Sequence, residues 1–147
     1  MQLSPHFSYE ELTFSQVASR FGYNNTPDAE CLSNLTRLAA KLEEARDILG
    51  VPIHVDSGYR SLLVNHVVGG ATGSAHMAGR AADIVPQGID LRNAFDALRT
   101  NLKGFDQIII ECSAWIHLAI AATYEMPRGE ALAASGRPGS WVYTKVA

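Results

Sequence analysis

The sequence predicts an α+β chain in which helices pack on a small, mainly antiparallel sheet. Two observations carry this. In the front half Leu32, Leu35, Leu38, Leu42, Ala45 and Leu49 recur at steps of three and four, the spacing of one helical stripe. In the back half the apolar runs are only strand-length, and two of them, Gln107 to Glu111 and Trp115 to Ile120, are parted by "CSA" alone and read as a hairpin. Helices gathered in one part of the chain and strands in another are the α+β pattern.

Each element has its own signal. Ser8 is placed as an N-cap with Glu11 reciprocating three residues on, and Phe7 and Leu12 occupy the two positions of a hydrophobic staple. A second short helix covers Ser15 to Arg20. The longest is predicted from Thr26-Pro27 to Gly50, with Pro at the first helical position, Asp28 and Glu30 in the first turn, and Gly just past the end. Asp90 caps a further helix, Leu91 to Leu102, closed by Gly104. Ile53 to Ser57 and Ala81 to Val85 complete the strands. The tail "PRGEALAASGRPGSWVY" is rich in Gly, Pro and Ser, and is expected to cross the surface before Trp141, Val142 and Tyr143 pack back.

A chain of 147 residues, 47% of them hydrophobic, fits one domain over 1–147 with one core. A formal charge of −3 without a basic run argues against nucleic acid or an anionic membrane as partner. The start "MQLSPHFSYEEL" lacks the basic and apolar regions of a signal peptide, so cytoplasmic synthesis is expected. Cys31 and Cys112 are read as reduced, buried residues, with a single bridge left open.

Strand alternation isolates the chemistry. Ala82 and Ile84 point one way and Asp83 the other; Ile116, Leu118 and Ile120 point one way and Trp115, His117 and Ala119 the other. Asp83 and His117 are the polar exceptions on apolar strands. In "SAHMAGRAAD" His76 precedes Asp83 by seven residues, in a loop that Gly73 and Gly79 allow to turn closely. A buried carboxylate needs a partner or a metal. Two readings stay open on spacing alone: a satisfied Asp-His pair, or a zinc site of two histidines and one carboxylate with a free fourth position.

"SGYRS" at 57 to 61, Asn65, "VGGA" at 68 to 71, the S-x-H-x-x-G-x-A-x-D pattern at 74 to 83 and W-x-H at 115 to 117 together resemble the M15 family of zinc D-Ala-D-Ala carboxypeptidases and L-alanyl-D-glutamate endopeptidases, and more narrowly its short, phage-associated, endolysin-like branch. The resemblance extends to "LSPHFSYEEL" and to "NL" in the long helix. It implies the hedgehog/DD-peptidase type of α+β fold, one Zn2+ held by His76, Asp83 and His117, and hydrolysis of peptidoglycan stem peptides beside D-amino acids.

Many members of that family place an acid three residues before the last histidine ligand, where this chain has Ala114. Glu111 is the candidate general base instead, since a hairpin brings it across the turn toward His117, and Asp106 is the alternative. Arg60 is the candidate for holding a substrate carboxylate in its planar fork, against a plain ion pair. Ser57, Ser74 and Trp115 are further substrate-binding candidates, against turn-forming and core roles. His6, His54 and His66 have no partners at ligand spacing. The function expected is a zinc peptidase of the cell wall, acting as a monomer on stem peptides after release, through a holin pore in a phage lysis role. Its rivals are a catalytically silent zinc-binding module, which would lack a base, and a structural component of a phage particle.

Overall fold

Capping chemistry sets the helices close to where the sequence places them. The computed structural model describes residues 1–137 and 139–147; Pro138, within the tail, lies outside the described residues. Helix α1 (Tyr9–Thr13) starts where Ser8 Oγ accepts the Glu11 N–H, and the staple residues Phe7 and Leu12 are both buried. Helix α2 (Gln16–Phe21) is capped by Ser15 and stopped by Gly22 at φ 68°. Helix α3 (Ala29–Leu49) begins later than predicted. The Asp28 carboxylate accepts the Cys31 N–H, so Asp28 is the cap, and Pro27 precedes the helix instead of opening it. Its buried stripe is Leu35, Leu38, Ala39, Leu42 and Ala45, with Leu32 and Leu49 half-buried near its ends.

Helix α4 (Leu62–Val67), capped by Ser61, is not foreseen from the sequence, because six residues give too little periodicity to read. His76 lies in a short 3₁₀ helix, Ala75–Ala78, where a loop is expected; Ser74 Oγ accepts the His76 N–H and Gly79, at φ 73°, ends the turn. Helix α5 (Leu91–Asn101) is capped by Asp90 as predicted.

The strands are β1 (Ile53–Ser57), β2 (Ala81–Pro86), β3 (Gln107–Glu111), β4 (Trp115–Ala119), β5 (Glu130–Ser135) and β6 (Val142–Lys145), in the sheet order β1-β2-β4-β3-β5-β6. The β3–β5 pairing is parallel and the others antiparallel, so the six-stranded sheet is mixed. The last two strands correct the reading of the tail. "EALAAS" is a strand of small residues with Leu132 and Ala134 buried, and the Gly-Pro-Ser composition belongs mainly to the connection that follows it. Trp141 packs against Ile109, Leu132 and Ala134. Val142 and Tyr143 do not pack back, being 61% and 49% exposed on an edge strand.

The two faces of the sheet differ in chemistry. Ala82, Ile84, Ile108, Ile110, Ile116 and Leu118 join Leu35, Leu38, Leu42, Phe95 and Leu98 in the main core, which fixes α3 and α5 on one face. Asp83, His117, Ile109 and Glu111 therefore point to the other. The register pairs Ser57 with Asp83, Asp83 with His117, and His117 with Ile109, laying the polar residues in one row. Both cysteines are free; Cys31 is half-buried, but Cys112 is exposed at the β3–β4 turn, where a buried residue is expected. No helix among the described residues is long and apolar enough to cross a membrane.

Candidate active site

The cluster forms where the 3₁₀ helix meets the polar row of the sheet. His76, Asp83 and His117 each offer one ligand atom, and these atoms lie within 4.8 Å of one another. Asp83 Oδ1 stands 3.3 Å from His76 Nε2 and 3.2 Å from His117 Nδ1. The two imidazoles meet edge to face, with centroids 5.1 Å apart.

The proton arrangement tests whether a metal fits. His76 Nδ1 donates to the Gly58 carbonyl at 2.7 Å, so in the neutral ring Nε2 is an acceptor. Burial holds the His76 pKa below its ordinary value, against the pull of Asp83, and so favours that neutral ring. Burial also opposes ionisation of Asp83, but the electrostatic attraction and hydrogen bonds of its imidazole neighbours outweigh it and hold the carboxyl below the usual range. A neutral Nε2 and a carboxylate oxygen are two acceptors facing each other. A cation between them satisfies both, and two imidazoles with one carboxylate are a donor set suited to zinc.

Arg60 lies against the far side of Asp83. Its Nη2 donates to Asp83 Oδ2 at 3.0 Å, its Nε to Ser57 Oγ at 3.1 Å and its Nη1 to Asn65 Oδ1 at 3.2 Å. Asn65, buried in α4, in turn donates to the Ala71 carbonyl. Asp83 thus turns one oxygen to the histidines and the other to Arg60. Among the described residues three of the five guanidinium N–H groups are engaged, which leaves two. Ser57 supports Arg60, while Ser74 caps the turn that carries His76.

Glu111 closes the site from β3. It is paired with Trp115 in the hairpin register and accepts the Trp115 indole N–H at 2.7 Å. It lies two residues beyond Ile109, the register partner of His117, and so on the same face. Burial, and then the Asp83 charge, raise its pKa above the usual carboxylate value. Asp106 also lines the cleft, but its carboxylate accepts the backbone N–H and the guanidinium of Arg128, whose hydrogen bonds hold its pKa low. His6 and His54 pair with Glu43 and Asp56, apart from the cluster.

A model of the Peptidase M15 family matches residues 5–119, a span that contains all three candidate ligands. The chain belongs to the peptidase M15 family. The zinc D-Ala-D-Ala carboxypeptidase of Streptomyces albus G is 36% identical to this M15 chain over 80 residues, which are 54% of the chain and 31% of that protein. The chain therefore spans under a third of the length of that relative.

The open face of this M15 fold is a cleft of about 870 Å3. One rim is the loop from Val68 to Ser74; the other holds Trp141 and Tyr143, which come from beyond the matched residues. Sequence reasoning gave Asn65 no role and expected Trp141 and Tyr143 only to pack back after the tail crosses the surface. A polar residue in the middle of "LLVNHV" was the available signal for Asn65. For the two aromatics there was none, because their place depends on a parallel pairing made after a long connection.

Proposed function

We propose that this chain is a zinc-dependent peptidoglycan peptidase that hydrolyses a stem-peptide bond next to a D-amino acid. The observation that carries the reading is the pair of facing acceptors, His76 Nε2 and Asp83 Oδ1, with His117 beside them and Glu111 on the same face. His76, Asp83 and His117 would hold the metal, and a set of three protein ligands is that of a catalytic zinc site and not of a structural one. Zinc in such a site supplies a Lewis acid that polarises a carbonyl and lowers the pKa of water toward ~7.

Glu111 takes the proton of the attacking water and delivers it to the departing amine nitrogen. Its raised pKa, caused first by burial, suits a group that must both accept and return a proton. Trp115 orients it. Arg60 keeps two N–H groups for a substrate carboxylate while it holds Asp83, and Ser57 and Ser74 act with it at that side of the cleft. The zinc carboxypeptidase relative supports the reaction type. We read residues 1–147 as one domain of the hedgehog/DD-peptidase type, acting as a phage or prophage lysis enzyme. A silent zinc module is the poorer reading, since a carboxylate stands on the metal face although position 114 is Ala.

Digestion of purified peptidoglycan by the zinc-loaded protein, with products identified by mass, tests the proposal. New ends at a bond beside a D-residue are expected. Intact stem peptides after prolonged digestion would refute it.

A further inference from the structure

We infer that Arg80 forms a second carboxylate subsite in the cleft, apart from Arg60 and on the side of the metal centre opposite Glu111. The inference rests on the peptidase reading above and adds a residue that reads the substrate. Position 80 is one of the open places in the S-x-H-x-x-G-x-A-x-D pattern, so the pattern does not call for arginine there. Among the described residues three guanidiniums line the cleft, those of Arg60, Arg80 and Arg128. Two are committed to carboxylates of the chain itself: Arg60 to Asp83, and Arg128 to both oxygens of Asp106. Arg80 differs. Among the described residues its side chain makes one long hydrogen bond, from Nη1 to the Ile120 carbonyl at 3.5 Å, and pairs with no carboxylate. Four of its five N–H groups are uncommitted in a half-buried residue. A cation so placed, which no anion of the chain neutralises, suits a carboxylate brought by a ligand.

The backbone of Arg80, by contrast, is held on both sides. Its N–H donates to the Ala75 carbonyl and its carbonyl accepts the Ile120 N–H, both at 2.9 Å. Gly79 before it lies so close to α3 that a Cβ would run into the Cys31 carbonyl. Folding therefore orders this backbone, and binding has only the side chain left to fix. The register gives its place relative to the metal centre. Asp83 pairs with His117 and Ala81 with Ala119, so Arg80, next to Ala81, lies toward the Ala119 end of β4, whereas Glu111 pairs with Trp115 at the other end. Between His117 and Arg80 the cleft is lined by Ala119, whose methyl group obstructs little. A stem peptide offers two kinds of free carboxylate, that of a γ-linked D-glutamate and that of its C-terminus, and the shared chemistry is what the guanidinium reads.

The test measures, by calorimetry, the binding of three stem peptides to the zinc-loaded Glu111→Gln protein: all carboxylates free, the D-glutamate carboxylate amidated, and the C-terminus amidated. One amidation is expected to weaken binding roughly tenfold, the size of one charge-assisted pair, and which one does so identifies the source. Adding Arg80→Ala should weaken the free peptide by a similar factor and erase its advantage over that amidated form, with zinc content and melting temperature retained. Arg80→Lys should recover part of the advantage, since a point charge lacks the planar fork. Arg80→Gln, which can still bond Ile120, replaces the alanine variant if that one is less stable. An advantage that persists without the guanidinium overturns the inference, and so does an equal loss on all three peptides, the result of a merely structural Arg80. Absence of binding by all three also overturns it. Binding and not turnover is read, so each of these results leaves the peptidase reading to the digestion of peptidoglycan.

Discussion

The indole N–H of Trp115 is bonded to the Glu111 carboxylate at 2.7 Å across the last register pair of the β3–β4 hairpin. A short bond from a fixed ring donor holds Glu111 Oε2, on the face of the sheet that also carries His117 and Asp83. Glu111→Gln should keep fold and metal but cut turnover by ~10²-fold or more, the usual size of general-base help. Trp115→Phe should lower kcat by a smaller factor with the metal content unchanged. Full turnover in Glu111→Gln would move the proton transfer to another group.

Gly70 is the contact point of the Arg60 network. A Cβ there would run into Asn65 Oδ1 and come within 2.9 Å of Arg60 Nη1. Asn65 is buried and bonded at both ends, so it has little room to yield. Gly70→Ala is therefore expected to cost ~1–3 kcal/mol in denaturant unfolding, the range for overpacking. A variant as stable as the wild type would show that the network tolerates displacement.

Cys112 and Ser113 both adopt left-handed backbone, at φ 52° and 54°, which is unfavourable for residues with a Cβ. Ser113→Gly should raise stability by ~0.5–1 kcal/mol, the relief of strain less the extra chain entropy of glycine. Thermal unfolding measures this directly, and a lower melting temperature would contradict it.

Asp106 gives a pH signature distinct from the metal site. Hydrogen bonds from Arg128 hold its folded pKa below the ordinary value, so the pair stabilises the fold above the unfolded carboxyl pKa of ~3.9 and the contribution is lost as pH falls through the folded value. Asp106→Asn should be less stable than the wild type by ~0.5–1 kcal/mol near neutrality, a modest figure because Arg128 is largely exposed. The gap should narrow below about pH 4 and close at lower pH. A gap independent of pH would mean that packing, not charge, is what the substitution removes.

The parts of the fold governed by local chemistry were legible in the sequence. The caps at Ser8 and Asp90, the stripe from Leu35 to Ala45 and the alternation around Asp83 and His117 each follow from neighbours within a few residues. Pro27 misplaced the start of α3 because a proline and an aspartate both signal a helix start, and the aspartate side chain reached the Cys31 N–H. The convergence of His76 with the sheet was legible as a pairing of residue types, but not the Gly58 carbonyl that sets its tautomer. Arg60 was read as a holder of a substrate carboxylate, against a plain ion pair; its bond to Asp83 inside the protein was not legible, because it depends on a turn meeting β2. The β5–β6 wall was hidden because its order depends on the non-local parallel pairing with β3.

Metal content tests the central claim most directly. The purified protein, reconstituted with zinc and dialysed, should retain one zinc per chain, and His76→Ala, Asp83→Ala and His117→Ala should each lose it while remaining folded, since three ligands leave no redundancy. Wild-type protein that retains no zinc, or alanine variants that retain it undiminished, would contradict the assignment of these three residues as the metal centre.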